Sequence, residues 1–357
     1  MVLRKVAPGD AGAVDGVEVE NGPMDTVAEL VGRALATAGV AAEAGDWGEY
    51  RALLWQAAAD GPTALLVGLE LILSGEPAER RTGCDLLGDA ADQNEEIRTE
   101  TATALVALAE RETAVEVLRS LVHAVERTYD QRAVPVLVGF AGHPDAEVRR
   151  EVACSFAGLV TGRPDGPEIR ALITLTRDEE PEVRNWATFT LGFQAEVDSP
   201  EIRAALWERV SDGYPDAREE GIRGLARRRD PRAVPLLTEL LDDPEGALTL
   251  TFDAAQLMGA PELLPALLTY DPAGPGVAAA VRACDPVQQA QLESHYWELL
   301  STLDRLRPDV GVAVLAGRFE EGLTLDVGSS SYDVEALIAR AGGDPLRAVD
   351  LVLADLA

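Results

Sequence analysis

Lysine is almost missing from this chain: Lys5 is the only one, so arginine carries nearly all of the positive charge. Against 62 acidic residues, the 31 basic ones leave a formal charge of −31, which repels phosphate backbones and anionic membranes. Nucleic acid and membrane are therefore not expected as partners, and a protein partner of basic character is. Cysteine is scarce as well. Cys84, Cys154 and Cys284 are odd in number and far apart. That excludes a disulfide framework and a zinc knuckle and fits a reducing cytoplasm. Aromatic residues make up only 5%, which suits thin Ala/Leu/Val-packed helices better than a sandwich core. The most apolar run, Thr63 to Leu73, is too short to span a bilayer and carries Glu70. At the N-terminus, Arg4 and Lys5 are followed by Asp10, Asp15, Glu18 and Glu20, so no apolar signal core develops. Walker loop, GxSxG elbow, HExxH, EF-hand loop and Rossmann glycine run are all lacking. Neither a catalytic residue nor a cofactor is expected. His295 and Glu298, one helical turn apart, do not make a metal site with His123 and His143 so distant in sequence, and no metal is expected.

What the chain does have is a repeat. Asp178-Glu-Glu-Pro-Glu-Val-Arg-Asn-Trp-Ala-Thr-Phe-Thr-Leu-Gly192 reads as a turn, a proline at the first helical position, and a helix with Val183, Ala187 and Leu191 on one face. Aligned on the arginine, copies place Arg149, Arg184 and Arg218 at spacings of 35 and 34 residues. A period of this length predicts stacked helix pairs. Pro144, Pro181, Pro200, Pro215, Pro231, Pro244 and Pro261 mark helix starts, where the missing N–H costs nothing. Earlier pairs fall at 25–44 with 46–58 and at 62–73 with 78–91; the second helix at 46–58 carries Asp46 and Glu49 at capping-box spacing. The pair at 95–127 reads as degenerate, since Arg98 precedes Arg149 by 51 residues.

These copies, Pro144-Asp-Ala-Glu-Val-Arg149 and Glu180-Pro-Glu-Val-Arg184 foremost, resemble the HEAT repeat, particularly the short variety of the bilin-lyase family. The resemblance covers roughly 60–285 and implies an all-α solenoid whose second helices line a concave face. It also implies a structural ladder in which Arg149, Arg184 and Arg218 join carboxylates between neighbouring repeats. Thr251 takes the arginine place in the next copy, where the ladder should stop. The expected division is a disordered acidic leader at 1–25, with Met24 as a candidate native start, a solenoid at 26–285, and a C-terminal cap at 286–357. In the cap, a long helix to Leu306 precedes two short strands around the turn Glu320-Glu-Gly322 and two helices, the second with Asp344 as N-cap. The cap is thus small and mixed α/β.

Trp186, Phe189 and Phe193 form a stripe offset from the Val183, Ala187, Leu191 line and are the candidate partner-binding residues; packing against the next repeat is the competing explanation. Arg223, Arg227, Arg228, Arg229 and Arg232 form the one basic cluster, read as exposed cations at a helix C-terminus. On that basis Arg184→Ala should destabilise more than Arg228→Ala. The function these features favour is a non-enzymatic cytoplasmic scaffold or adaptor holding a protein in the concave groove. The alternative is an enzyme on a HEAT scaffold, bilin-lyase-like or, against the charge, DNA-glycosylase-like.

Overall fold

A computed structural model describes residues 26–160, 162–243, 249–310, 312–315 and 323–356. The leader and the turn at 320–322 lie outside the described residues. Helices come in antiparallel pairs: α1 (Val27–Ala44) with α2 (Gly48–Ala58), α3 (Gly61–Leu71) with α4 (Pro77–Gln93), and α5 (Arg98–Ala109) with α6 (Val115–Glu126). Then come α7 (Ala133–Phe140) with α8 (Ala146–Ser155), α9 (Pro167–Leu175) with α10 (Pro181–Phe189), and α11 (Pro200–Arg209) with α12 (Pro215–Arg227). The last pairs are α13 (Ala233–Asp242) with α14 (Thr249–Met258), and the short α15 (Leu264–Leu267) with α16 (Val277–Cys284). Among the described residues no helix is long and apolar enough to cross a membrane.

Proline at the first or second position opens α3, α4, α9, α10, α11 and α12, where its fixed φ suits the helix and its missing N–H is no loss. Pro144 sits one step earlier, with Asp145 capping α8 by accepting from the backbone of Glu147 and Val148. The capping box belongs to α1 instead of α2: Thr26 and Glu29 exchange hydrogen bonds there, whereas Asp46 accepts from Gly48 and leaves α2 without a side-chain cap.

The second helices pack side by side in an unbroken row from α2 to α16, while contacts between successive first helices are sparser. The closer layer must lie on the inside of the curve, so the second helices line the concave face. Their approach is set by small residues: a Cβ added to Gly224 of α12 would stand 2.9 Å from the Cα of Gly192 in the repeat before. Val183, Ala187 and Leu191 are buried in one continuous core that runs from α1 to α16. The pair α5/α6 is a full member of it, through Leu105, Leu108, Leu121 and Val125. It is not degenerate in packing. The register follows from Arg80, which precedes Arg149 by 69 residues, twice the repeat, and not from Arg98.

A second core belongs to the C-terminal unit. There α17 (Pro286–Leu306) buries Tyr296, Leu299 and Leu303 against α18 (Val334–Arg340), α19 (Pro345–Asp355) and the inner face of β2 (Thr324–Val327). Strand β2 pairs antiparallel with β1 (Val312–Leu315) and with β3 (Ser330–Asp333). The third strand was not anticipated, because Ser-Ser-Tyr-Asp lacks the apolar alternation of a strand. Its hairpin signal is Gly328-Ser329, with Gly328 at φ 62°. Asp344 caps α19 by accepting from Leu346 and Arg347.

Candidate functional site: the concave groove

The repeat arginine is the fourth residue of its helix, and that position forces it to fold back. Arg184 donates to the carbonyls of Asp178 and Glu179 in its own loop and bidentately to Asp212 of the next repeat at 2.8 and 2.9 Å. Arg149 does the same with His143, Pro144 and Asp178, at 2.7 and 2.8 Å for the carboxylate. Each carboxylate also accepts from its own loop backbone, Asp178 from Glu180 and Asp212 from Tyr214. The hydrogen bonds from Arg184 hold the Asp212 carboxyl down at about 2. Arg218 holds the equivalent place, but no ion pair of it is found among the described residues, and the loop 244–248 that follows α13 lies outside them. Sequence reasoning missed a further rung: Arg80 donates to Ser74, Gly75 and, bidentately, Glu112. In the intervening helix, buried Leu118 occupies the arginine place.

Five residues beyond that place, one side chain per repeat points along the floor of the groove: Asp85, His123, Cys154, Phe189 and Arg223. A second row four residues on holds Asp89, Arg127, Gly158, Phe193 and Arg227, and adjacent members touch where an Asp89–Arg127 ion pair joins α4 to α6. The three candidate aromatics are half-buried. Trp186 meets Phe189 edge-on at 5.8 Å, and Phe189 stacks on Phe193 at 5.9 Å with 20° between the planes. Phe193 reaches that position because residues 190–194 form a π-turn closed by the Ala195 N–H on the Thr190 carbonyl. The guanidinium of Arg223 lies 3.7 Å from the centre of the Phe193 ring, and Arg227 lies at 5.1 Å while also donating to the Phe193 carbonyl. One edge of the stripe is thus covered by the next repeat, and the rest faces the groove.

The basic cluster is not uniformly exposed: Arg229 and Arg232 are exposed, Arg223 and Arg227 are half-buried and Arg228 is buried. Arg228 is 4% exposed, and its guanidinium donates to the carbonyls of Leu191, Gly192, Ala195, Val197 and Gly224. Arg232 pairs with Asp230 and stands 4.9 Å from the Trp207 ring. The chain needs Arg228 there because the π-turn ends a helix inside the seam between repeats, where its last carbonyls meet no water.

Asp85, His123 and Cys154 stand in one row, the residue types of a thiol nucleophile and its bases. Yet no hydrogen bond joins them. Asp85 accepts from Tyr50 at 2.7 Å, and desolvation pushes the Cys154 thiol up to about 12, so no thiolate forms at neutral pH. His123, exposed at its ring but crowded on the groove floor, is pushed down to about 4 by desolvation and then by Arg127 and Arg51. It is a neutral imidazole at pH 7. Among the described residues no group of three acidic, histidine or cysteine side chains could hold a metal ion.

Comparison with known proteins agrees with this architecture. Residues 169–256 match the HEAT repeats family, and the array is a HEAT-type solenoid. Over 105 residues the chain is 33% identical to protein YibA of Escherichia coli, in strain K12 and in O157:H7 alike; the match covers 29% of this chain and spans only 37% of those relatives. The crystal structure of the Escherichia coli YibA protein superposes with a TM-score of 0.54 at 22% identity, over 66% of this chain and 85% of that one, a likeness of fold. The complex of CpcE and CpcF of the phycocyanin lyase from Nostoc sp. PCC7120 gives a TM-score of 0.40 at 14% identity, over 77% of this chain and 99% of that chain.

Proposed function

We propose that this HEAT-type array is a non-enzymatic scaffold that holds a segment of a partner protein in its concave groove, seated on Trp186, Phe189 and Phe193. The observation that carries this reading is the half-buried, mutually stacked aromatic stripe on the floor of α10, where the repeats on either side place Cys154 and Arg223. A departure from the repeat pattern on the inner face, rigid and apolar, has the character of an interaction anchor. The charge of −31 fits a partner of basic character and a cytoplasmic setting.

Photo-crosslinking in the native host tests it. A benzophenone side chain placed at Phe189 should give one discrete crosslinked protein band, and the same group at Leu66, which is 69% exposed on a first helix, should not. Identical patterns from both positions would refute the groove as the site.

A further inference from the structure

The two rows divide the groove floor into chemically different halves. Towards α10 lie the rings; towards α4 lie Asp85, Asp89 and Asp92, at helical spacing, with Glu126 on α6. Most cations nearby are already engaged; Arg51, close enough to act on Asp85 and His123, has no ion pair among the described residues. Arg127 pairs with Asp89, Arg119 and Arg150 serve Glu147 and Glu151, and Arg81 lies over the rings of Trp47 and Tyr50. Among the described residues Asp92 accepts only from the hydroxyl of Tyr129, which satisfies an oxygen and leaves the formal charge in place. The Glu126 carboxylate has neither hydrogen bond nor ion pair among the described residues. Desolvation raises Asp89 to about 6 and Glu126 to about 7, although Arg127 lowers both.

We propose that the occupant of the groove is a cationic segment of the partner, with an apolar side chain against Phe189 and Phe193 and lysine or arginine side chains over Asp92 and Glu126. This deepens the scaffold reading and rests on it. From α10 the floor crosses two helix spacings of ~8–10 Å to Glu126 on α6 and three to Asp92 on α4, about 16–20 Å and about 24–30 Å. Extended chain covers those distances in about five or six and about seven to nine residues at ~3.3 Å per residue. The occupant therefore carries its apolar anchor and its basic residues that far apart. A short basic patch with an adjacent aromatic residue would not span the site.

Random displayed peptides long enough to cover this span, selected on the intact protein and depleted on its Phe189→Ala variant, decide the matter. The expected survivors share an apolar residue with Lys or Arg about five or six and about seven to nine positions away from it. Neutral or acidic survivors overturn the cationic occupant and leave groove docking standing. If depletion removes every binder, because each peptide binds the Phe189→Ala protein equally, both readings fall. For a surviving peptide, the double substitution Asp92→Asn with Glu126→Gln should weaken binding about fivefold or more, measured by fluorescence anisotropy. Unchanged affinity in that variant would also overturn the proposal.

Discussion

Arg228 of α12 donates to the carbonyl oxygen of Gly192 at 2.6 Å, across the seam between two repeats. The same guanidinium serves four further carbonyls, so one side chain seals the end of the neighbouring helix. Arg184, by contrast, keeps 17% of its side chain exposed and pairs at the edge of its repeat. The order expected from sequence is therefore reversed. Arg228→Ala should cost about 3–5 kcal/mol, because it strands several buried acceptors, and Arg184→Ala about 1–3 kcal/mol. Thermal melts of the two variants check this, and an equal or larger loss for Arg184→Ala would refute the sealing role.

Stability should pass through a maximum in mildly acidic solution. Hydrogen bonds from Arg184 and from Arg232 depress Asp212 and Asp230 to about 2. Their contribution is present above the unfolded value of 3.8 and is lost as pH falls towards 2. Desolvation raises Asp89 to about 6 and Glu126 to about 7, so their contribution is present below 3.8 and 4.5 respectively and is lost as pH rises through those folded values. Melting temperature should thus fall between about pH 4 and pH 7, with His123, depressed to about 4, working against the fall below its unfolded value of 6.5, and Glu126→Gln should flatten it. An unaltered slope in the variant would show that Glu126 is not responsible.

Phe189 is neither free in the groove nor sealed in the core. Truncation should remove half-buried area and two ring contacts, about 1–2 kcal/mol of stability, less than the 3–5 kcal/mol of a buried phenylalanine. A melt that drops by the larger amount would place the ring in the core and remove it as an anchor.

Two glycine substitutions should act in opposite directions. Gly224→Ala brings a methyl group within 2.9 Å of backbone in α10's extension and should destabilise by about 1–3 kcal/mol despite better helix propensity. Gly32→Ala, in the middle of α1 with nothing within 4 Å of the new carbon, should stabilise by about 0.5–1 kcal/mol. Denaturant midpoints measure both, and loss of stability in each would show that helix propensity is not what decides at Gly32.

Much of the architecture was legible because a repeat states its own period several times. The arginine spacing, the prolines at helix starts and the Val183, Ala187, Leu191 line locate the helix pairs without any knowledge of packing. Local chemistry was legible where the interacting groups are close in sequence, as with Asp145 and Asp344 at their caps. Arg80 reads in register with Arg184 in the sequence, but only the fold shows that it is a rung paired with Glu112, with Leu118 interrupting the ladder before Arg149.

Pairing across repeats had no such signal. Whether arginines clustered between positions 223 and 232 face solvent or rings or orphaned carbonyls depends on a π-turn thirty-odd residues earlier, and only the fold brings Arg228 to Leu191 and Gly192. The same holds for the groove floor, where Asp85, His123 and Cys154 come into one row by stacking and yet, among the described residues, share no hydrogen bond. The sequence by itself determined the helix pairs and their order, because periodicity and capping are local properties of the chain. Tertiary structure alone decided which charges are buried and which carboxylates share a face, because burial and desolvation are set by residues one or more repeats away.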